Sequence, residues 1–117
     1  EKKTINLNEL QILDIVSKFY DVGVAEIMSK SRKSRPSFVR QAYFYLCRKE
    51  GLTLYKMAHP INRDHATALH GIRTFKDRLD TEKHTAAEFE MLLKVIKAHK
   101  SLITVKLHKE DRSPTTK

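Results

Sequence analysis

Residues that mark several classes of protein are scarce in this chain. The single cysteine, Cys47, rules out an intrachain disulfide and points to a reducing, cytoplasmic environment. With only three glycines and three prolines in 117 residues, helices joined by short connections are favoured over an all-β fold. No apolar run approaches the roughly 20 residues that span a membrane, and no signal peptide opens the chain, so we expect no membrane partner. The length suits one domain, and because the chain begins at Glu1 we expect a processed chain or a fragment of a longer one.

Acidic residues are also in short supply, and the shortage is local. Lysine and arginine together number 23 against 14 aspartate and glutamate residues, which gives a net charge of +9 and a pI near 9.8. Residues 1–28 carry a net charge of −2, whereas residues 29–49 contain seven basic side chains and no acidic one. Such a concentration of one sign favours a polyanionic partner. A solvated surface is the alternative interpretation.

The spacing of the apolar residues predicts an all-α fold, a small bundle of about six helices. The predicted helices cover residues 8–20, 24–28, 36–50, 54–58, 62–79 and 86–99. Asn8 and Gln11 form a capping box before the first helix. Pro60 is expected to keep His59 out of helical geometry, and Asn62 is expected to cap the next helix.

The chain divides into three parts. Residues 1–7 are predicted to be an arm or linker, residues 8–99 the folded domain, and residues 100–117 a C-terminal extension that is at least partly disordered, from His108 onward. Residues 102–107 either extend the last helix or alternate as a strand. The helix over 62–79 is predicted to be apolar on one face and polar on the other. The polar face contains Thr67, His70, Gly71, Thr74 and Arg78.

A helix-turn-helix pattern lies in the middle of the chain. It consists of the short helix 54–58, the turn 59–61 and the longer helix 62–79. In this motif the start of the second helix enters the major groove of DNA. Residues 62–67, which read Asn-Arg-Asp-His-Ala-Thr, offer short polar groups and one guanidinium to bases or phosphates. The pattern therefore predicts double-stranded DNA as the partner.

Residues 63–70 read Arg-Asp-His-Ala-Thr-Ala-Leu-His. This segment resembles the Arg-Asp-His-Thr-Thr-Val-Leu-His typical of the C-terminal DNA-binding domain of DnaA, the bacterial chromosomal replication initiator. Residues 24–30 are similar to that family's Val-Ala-Asp-Leu-Leu-Ser-Lys stretch, and residues 54–58 to its Leu-Pro-Glu-Ile-Gly segment. The basic run followed by Arg40 and Gln41 resembles the family's basic loop and the helix after it. The similarity covers residues 7–96.

The resemblance implies a Trp-repressor-like helix-turn-helix that binds duplex DNA in replication initiation, by recognising origin boxes on the nucleoid. It places Arg32 in the minor groove and a recognition helix in the major groove. The base-reading residues of that helix are Asp64, His65, Ala66 and Thr67. With the charge pattern, it predicts phosphate contacts from Lys30, Lys33, Arg35, Arg40, Gln41, Arg48, Lys49, Arg63, His70 and Thr74. No catalytic residue, metal or cofactor is expected in this chain.

The sequence also departs from the family pattern. Ala66 stands where the family has threonine, which removes a hydroxyl but keeps a methyl for thymine contact. The turn before Asn62 is shorter and lacks the family's Gly-Gly, and the loop has Ser34 in place of an arginine. No Gly-rich phosphate-binding loop or ATPase domain is present. We therefore expect either an excised domain or a stand-alone protein of a plasmid, phage or mobile element.

Simpler interpretations exist for several of these residues. Asp64 could be only a favourable charge at a helix start, and His65 could be a core histidine. A metal site among His59, His65 and His70 is disfavoured, because the last two are about 140° apart around a helix. The aromatic run 43–45 is more typical of a core than of a base-stacking platform.

Three other functions compete with origin recognition. The first is a DNA-binding module of a transcription regulator or mobile-element protein. The second is a helical interaction module that self-associates through residues 86–107, because the apolar residues there exceed what a small bundle needs. The third, a nuclease, is disfavoured because no acidic metal site is evident.

Overall fold

The computed structural model describes the backbone of residues 6–112 and the side chains of residues 6–103. It contains six α-helices and one 3₁₀ turn in that range, and no strand, so the all-α prediction is confirmed. The helices are α1 (Glu9–Tyr20), α2 (Val24–Met28), α3 (Ser34–Lys49), α4 (Leu54–Ala58), α5 (His65–Thr81) and α6 (Lys83–Arg112). The 3₁₀ turn, His59–Ile61, connects α4 to the segment before α5. Residues 1–5 of the predicted arm and residues 113–117 of the predicted tail lie outside the described range.

Local capping chemistry sets several of these boundaries. The Asn8 side chain accepts a hydrogen bond from the Gln11 amide at 2.9 Å, and the Gln11 side chain accepts one from the Asn8 amide at 2.9 Å, so the predicted capping box is confirmed. Gly51 follows α3 with a φ of +86°, a left-handed conformation that costs glycine little. These signals are readable in the sequence because each joins neighbours only a few residues apart.

The turn between α4 and α5 differs from the prediction. His59 has helical dihedrals (φ −56°, ψ −49°) despite the proline after it, since the 3₁₀ turn is closed by a hydrogen bond from the Asn62 amide to the His59 carbonyl. Asn62 then adopts a left-handed φ of 55° and ends this turn. It therefore does not cap α5. Asp64 takes that position, and α5 begins three residues later than predicted, at His65.

The last helix is longer than predicted. It begins at Lys83 and its backbone stays helical to Arg112, so residues 102–107 extend the helix rather than form a strand. Disorder from His108 onward stays a prediction. Val95 is 44% exposed, and Leu102 is 64% exposed. The core side of α6 is formed instead by Phe89, Leu92 and Ile96. Self-association through residues 86–107 stays a prediction, and the side chains from 104 onward lie outside the described range.

The core is built around α3, which packs against α1, α2, α4 and α5. Aromatic rings join α3 to α5 and α6: the Tyr45 ring lies 5.5 Å from both the Phe75 and the Phe89 rings, centroid to centroid. The Tyr43 hydroxyl donates to the Met57 carbonyl at 2.6 Å and so fixes α4 on α3. Cys47 is fully buried, and this burial raises the pKa of its thiol. The aromatic run 43–45 thus serves packing.

The N-terminal segment and α6 meet at one carboxylate. Glu50 Oε1 accepts from the Leu7 amide at 2.8 Å, and Glu50 Oε2 pairs with Lys100 Nζ at 2.9 Å. Leu7, which we assigned to the arm, is only 1% exposed, so the folded unit begins before residue 8. The Glu50 side chain is 11% exposed, which shields this contact from solvent more than an ordinary surface ion pair.

Gly71 of α5 lies directly against the Phe44 ring of α3. It was predicted on the polar face of its helix, but it is buried, and the core-facing residues of α5 are Ala68, Gly71 and Phe75. A Cβ atom added at Gly71 would lie 2.7 Å from Phe44 Cδ2. The glycine therefore allows the two helices to pack this closely, and it sets the position of α5 on the bundle.

We expect Gly71→Ala to lower the free energy of unfolding by about 1–2 kcal/mol. Alanine would stabilise a free helix by roughly 0.5–1 kcal/mol relative to glycine, but the overpacking against the buried Phe44 ring costs about 1–3 kcal/mol. Urea denaturation measures the difference. Gly23→Ala is the matched control, because a Cβ atom there meets nothing within 4 Å. A Gly71→Ala variant more stable than the parent would show that Phe44 moves aside.

Candidate nucleic-acid interface

An open groove of about 340 Å³ lies between the loop after α2 and the segment before α5. We call residues 29–33 the basic loop and residues 62–67 the recognition segment. The groove is lined by Lys30, Ser31, Arg32, Ser37, Arg40, Asn62 and Arg63. Two regions that are about 30 residues apart in the sequence therefore share one surface, and every charged side chain in its lining is positive.

Serine side chains order the basic loop. Ser29 Oγ donates to the Glu26 carbonyl at 2.7 Å and accepts from the Ser31 amide at 3.2 Å. Ser31 Oγ in turn accepts from the Lys33 amide at 3.3 Å. These turns satisfy backbone groups that have no helical partner. The basic side chains between them, at positions 30, 32 and 33, are exposed to solvent, as contact with DNA requires.

Two arginines hold the basic loop through hydrogen bonds to backbone carbonyls at its start and at the end of α2. Arg40 on α3 is 7% exposed, and its Nε donates to the Ile27 carbonyl at 2.7 Å. Arg40 Nη2 donates to the Ser29 carbonyl at 2.9 Å, and Arg63 Nη2 donates to the same oxygen at 2.7 Å. Burial and the nearby charge of Arg63 lower the pKa of Arg40. The structure thus gives Arg40 and Arg63 backbone partners, and their predicted phosphate contacts stay predictions.

The recognition segment presents four consecutive exposed residues, Asp64 to Thr67. Asp64 is the N-cap of α5: its Oδ1 accepts from the Thr67 amide at 2.8 Å, and this hydrogen bond lowers the pKa of the carboxyl group. The alternative that His65 is a core residue is wrong, because its side chain is exposed. Asp64 does have the helix-start role that we considered.

Tyr55 belongs to the same surface, although it is not among the site residues predicted from the sequence. Its ring is 60% exposed, stacks on His59 with centroids 5.2 Å apart, and lies edge-on to His65 at 6.4 Å. These rings border an open cavity of about 490 Å³ that also includes Asp64 and Ala66. The sequence feature that could have identified Tyr55 is an aromatic residue on the short helix directly before the turn. Among the described residues no group of three His, Cys, Asp or Glu side chains is arranged to hold a metal.

The remaining predicted phosphate contacts are spread over the surface. Arg35 Nη2 donates to the Tyr20 carbonyl at 3.1 Å, and Gln41 Oε1 accepts from Arg78 Nε at 3.0 Å. Arg48 and Lys49 are exposed at the far end of α3, roughly 22 Å along the helix from its first residue. His70 and Thr74 lie together on α5, with Nε2 and Oγ1 3.4 Å apart. The groove therefore gathers only Lys30, Arg32, Arg40 and Arg63 of the predicted DNA-contacting set, with the recognition segment at its edge.

Comparison with known proteins gives a consistent result. Residues 10–74 match the family described as the bacterial dnaA protein helix-turn-helix. The chain is 35% identical over 86 residues to the chromosomal replication initiator protein DnaA of Aquifex aeolicus, which covers 72% of this chain and 21% of that protein. It is 32% identical over 99 residues to the protein of the same name from Bacteroides thetaiotaomicron, covering 83% of the chain and 21% of the relative.

A third relative, the chromosomal replication initiator protein DnaA of Tropheryma whipplei strain Twist, is 28% identical over 91 residues, covering 77% of this chain and 19% of the relative. The chain thus spans about a fifth of the length of the curated relatives it matches. Within the described part of the chain, every helix is too short or too polar to cross a membrane.

Proposed function

Because this chain belongs to the bacterial DnaA helix-turn-helix family, we propose that it binds double-stranded DNA sequence-specifically and serves replication initiation by recognising origin boxes. In this proposal the recognition segment lies in the major groove and the basic loop lies in the adjacent minor groove. The chain acts on DNA of the nucleoid, in the cytoplasm, and its role is binding rather than catalysis.

One observation carries the proposal: the basic loop and the recognition segment form a single surface. The loop presents exposed positive charge, which attracts the phosphate backbone without regard to sequence. The start of α5, next to it, presents short side chains of mixed chemistry, which is what discrimination between base edges needs. A surface that combines both is expected to bind duplex DNA and to distinguish one sequence from another.

Each side chain of the recognition segment has a defined chemistry in this arrangement. Asp64 Oδ2 accepts from a cytosine amino group, while Oδ1 stays with the Thr67 amide. His65 donates to a base acceptor, and the Ala66 methyl packs on a thymine methyl. Arg32 enters the minor groove, where narrow A/T-rich segments attract a guanidinium most strongly.

Selection of bound sites from random duplex DNA tests the proposal. We expect enrichment of one short consensus flanked by A/T-rich positions, since the loop and the helix read adjacent grooves. Recovery of unenriched DNA at a salt concentration where the chain still binds would reduce the function to non-specific binding. Failure to retain any duplex would remove DNA binding itself.

The same selection with Asp64→Asn separates base reading from helix capping. Asparagine caps a helix about as well as aspartate but also carries an amide donor in place of a charge. We therefore expect an almost unchanged melting temperature, slightly stronger binding to random DNA, and a loss of roughly tenfold in discrimination at one base pair. Asp64→Ala, which removes the cap as well, is the companion variant. An Asp64→Asn consensus identical to that of the parent would leave Asp64 with the capping role alone.

A further inference from the structure

We propose that Arg63 and Arg40 are positioning residues, which hold the basic loop at a fixed place relative to the start of α5 so that the two elements engage adjacent grooves together. The inference rests on the proposed function and refines it. It assigns these two arginines to the protein backbone, whereas the sequence pattern assigned them to DNA phosphates.

The Ser29 carbonyl is the point where the contacts meet. It follows α2 and has no partner in that helix, and it accepts from Arg40 at 2.9 Å and from Arg63 at 2.7 Å. Arg63 also donates through Nη1 to the Ile61 carbonyl at 2.8 Å. One guanidinium therefore spans from the first residue of the basic loop to the 3₁₀ turn. Among the described residues, the hydrogen bond from Arg63 to the Ser29 carbonyl is the only one that joins residues 29–33 to residues 59–64.

Arg40 holds the same loop at its junction with α2. Its Nε atom donates to Ile27, at 2.7 Å, and its Nη2 atom contacts both Glu26, at 3.3 Å, and Ser29, at 2.9 Å. Arg40 thus ties the end of α2 to α3, and Arg63 extends that connection to the recognition segment. The loop is attached both to the bundle and to the element that precedes α5.

The geometry needs arginine. A guanidinium donates in two directions from a rigid plane, whereas a lysine ammonium is a compact charge on a flexible stem. Lysine at position 63 would keep the positive charge for a phosphate and would lose the bridge between Ser29 and Ile61. The conservative substitution therefore separates a positioning role from a phosphate-contact role.

The test is a double-mutant cycle between Arg63→Lys and Arg32→Ala, measured on the selected site, on random duplex and over a range of salt. We expect Arg63→Lys to weaken the selected site about tenfold, with random-duplex affinity and salt slope unchanged. We also expect Arg32→Ala to cost much less in the Arg63→Lys background than in the parent, because the loop has lost its position. Arg73→Lys, an exposed arginine on α5 outside the groove, is the matched control.

The inference would be overturned, with the proposed function left intact, if the effects of the two substitutions on affinity were additive. The same holds if Arg63→Lys bound the selected site as tightly as the parent. A parent chain that fails to bind duplex would overturn both. If Arg63→Lys folds poorly, hydrogen exchange of the unmodified protein in the absence of DNA tests the inference instead. The proposal requires the loop to be held in place before DNA arrives, so the Ser31 and Lys33 amides should be protected from hydrogen exchange, and unprotected rates would overturn it.

Discussion

Raising the monovalent salt concentration from 50 to 200 mM is expected to weaken binding of this chain to duplex DNA by about 500-fold. Residues 29–49 hold seven basic side chains. Arg35 and Arg40 donate to backbone carbonyls at 3.1 Å and 2.7 Å, whereas the contact of the exposed Arg48 with the Leu52 carbonyl is a longer one of 3.3 Å. Counting Arg48 as available, about five cations are left for phosphates, and the slope of log K against log salt is expected near −4.5. Fluorescence anisotropy with a labelled duplex, repeated at several salt concentrations, measures this slope.

Single substitutions test which cations contribute to that slope. Lys30→Ala removes one exposed cation from the groove and should bring the slope to about −3.6, because each phosphate contact contributes about −0.9. Arg73→Ala removes the same charge outside the groove and should leave the slope near −4.5. A slope close to zero for the parent chain would contradict DNA binding. A slope near −6.3 would instead mean that Arg35 and Arg40 also neutralise phosphates.

The second large effect is on folding. Arg40→Ala is expected to lower the free energy of unfolding by about 2–4 kcal/mol, since three backbone carbonyls lose a charged donor in a nearly buried site. The melting temperature should fall by about 10 °C or more. Thermal unfolding followed by circular dichroism measures the change in the absence of DNA.

Two companion variants make the Arg40 result specific. Arg48→Ala removes an exposed arginine of the same helix and should leave stability almost unchanged. Its guanidinium makes one hydrogen bond with the described residues, a long one of 3.3 Å to the Leu52 carbonyl. Arg40→Lys keeps the charge but not the three-carbonyl contact, so most of the loss should remain. If Arg40→Ala melts like the parent and weakens all duplexes equally, the phosphate role predicted from the sequence is the correct one.

The parts of the fold that the sequence could predict are those set by short-range chemistry. The capping box at Asn8, the left-handed Gly51 after α3 and the apolar spacing of the helices involve neighbours within about one or two turns. The positively charged segment and the helix-turn-helix pattern are also continuous in sequence, and they located the surface that the structure brings together.

The parts that could not be predicted depend on residues distant in sequence. A basic side chain looks the same in sequence whether it faces solvent, as Lys30 does, or backbone carbonyls, as Arg40 does. The burial of Gly71 follows from the closeness of Phe44 on another helix. The cap of α5 is Asp64 rather than Asn62 because Asn62 ends the 3₁₀ turn in a left-handed conformation, and the sequence could not decide between them since both residue types are good caps.

The contacts of Glu50 also bear on the order in which the chain folds. They close two loops, of 43 residues to Leu7 and of 50 residues to Lys100, the two longest spans bridged by a side-chain hydrogen bond among the described residues. Longer loops lose more chain entropy on closure, so these contacts are expected to form late. As the chain leaves the ribosome, Ser29, Arg40 and Arg63 all emerge before Lys100. We therefore expect the groove between the basic loop and the recognition segment to assemble first, and docking of α6 on Glu50 to complete the domain.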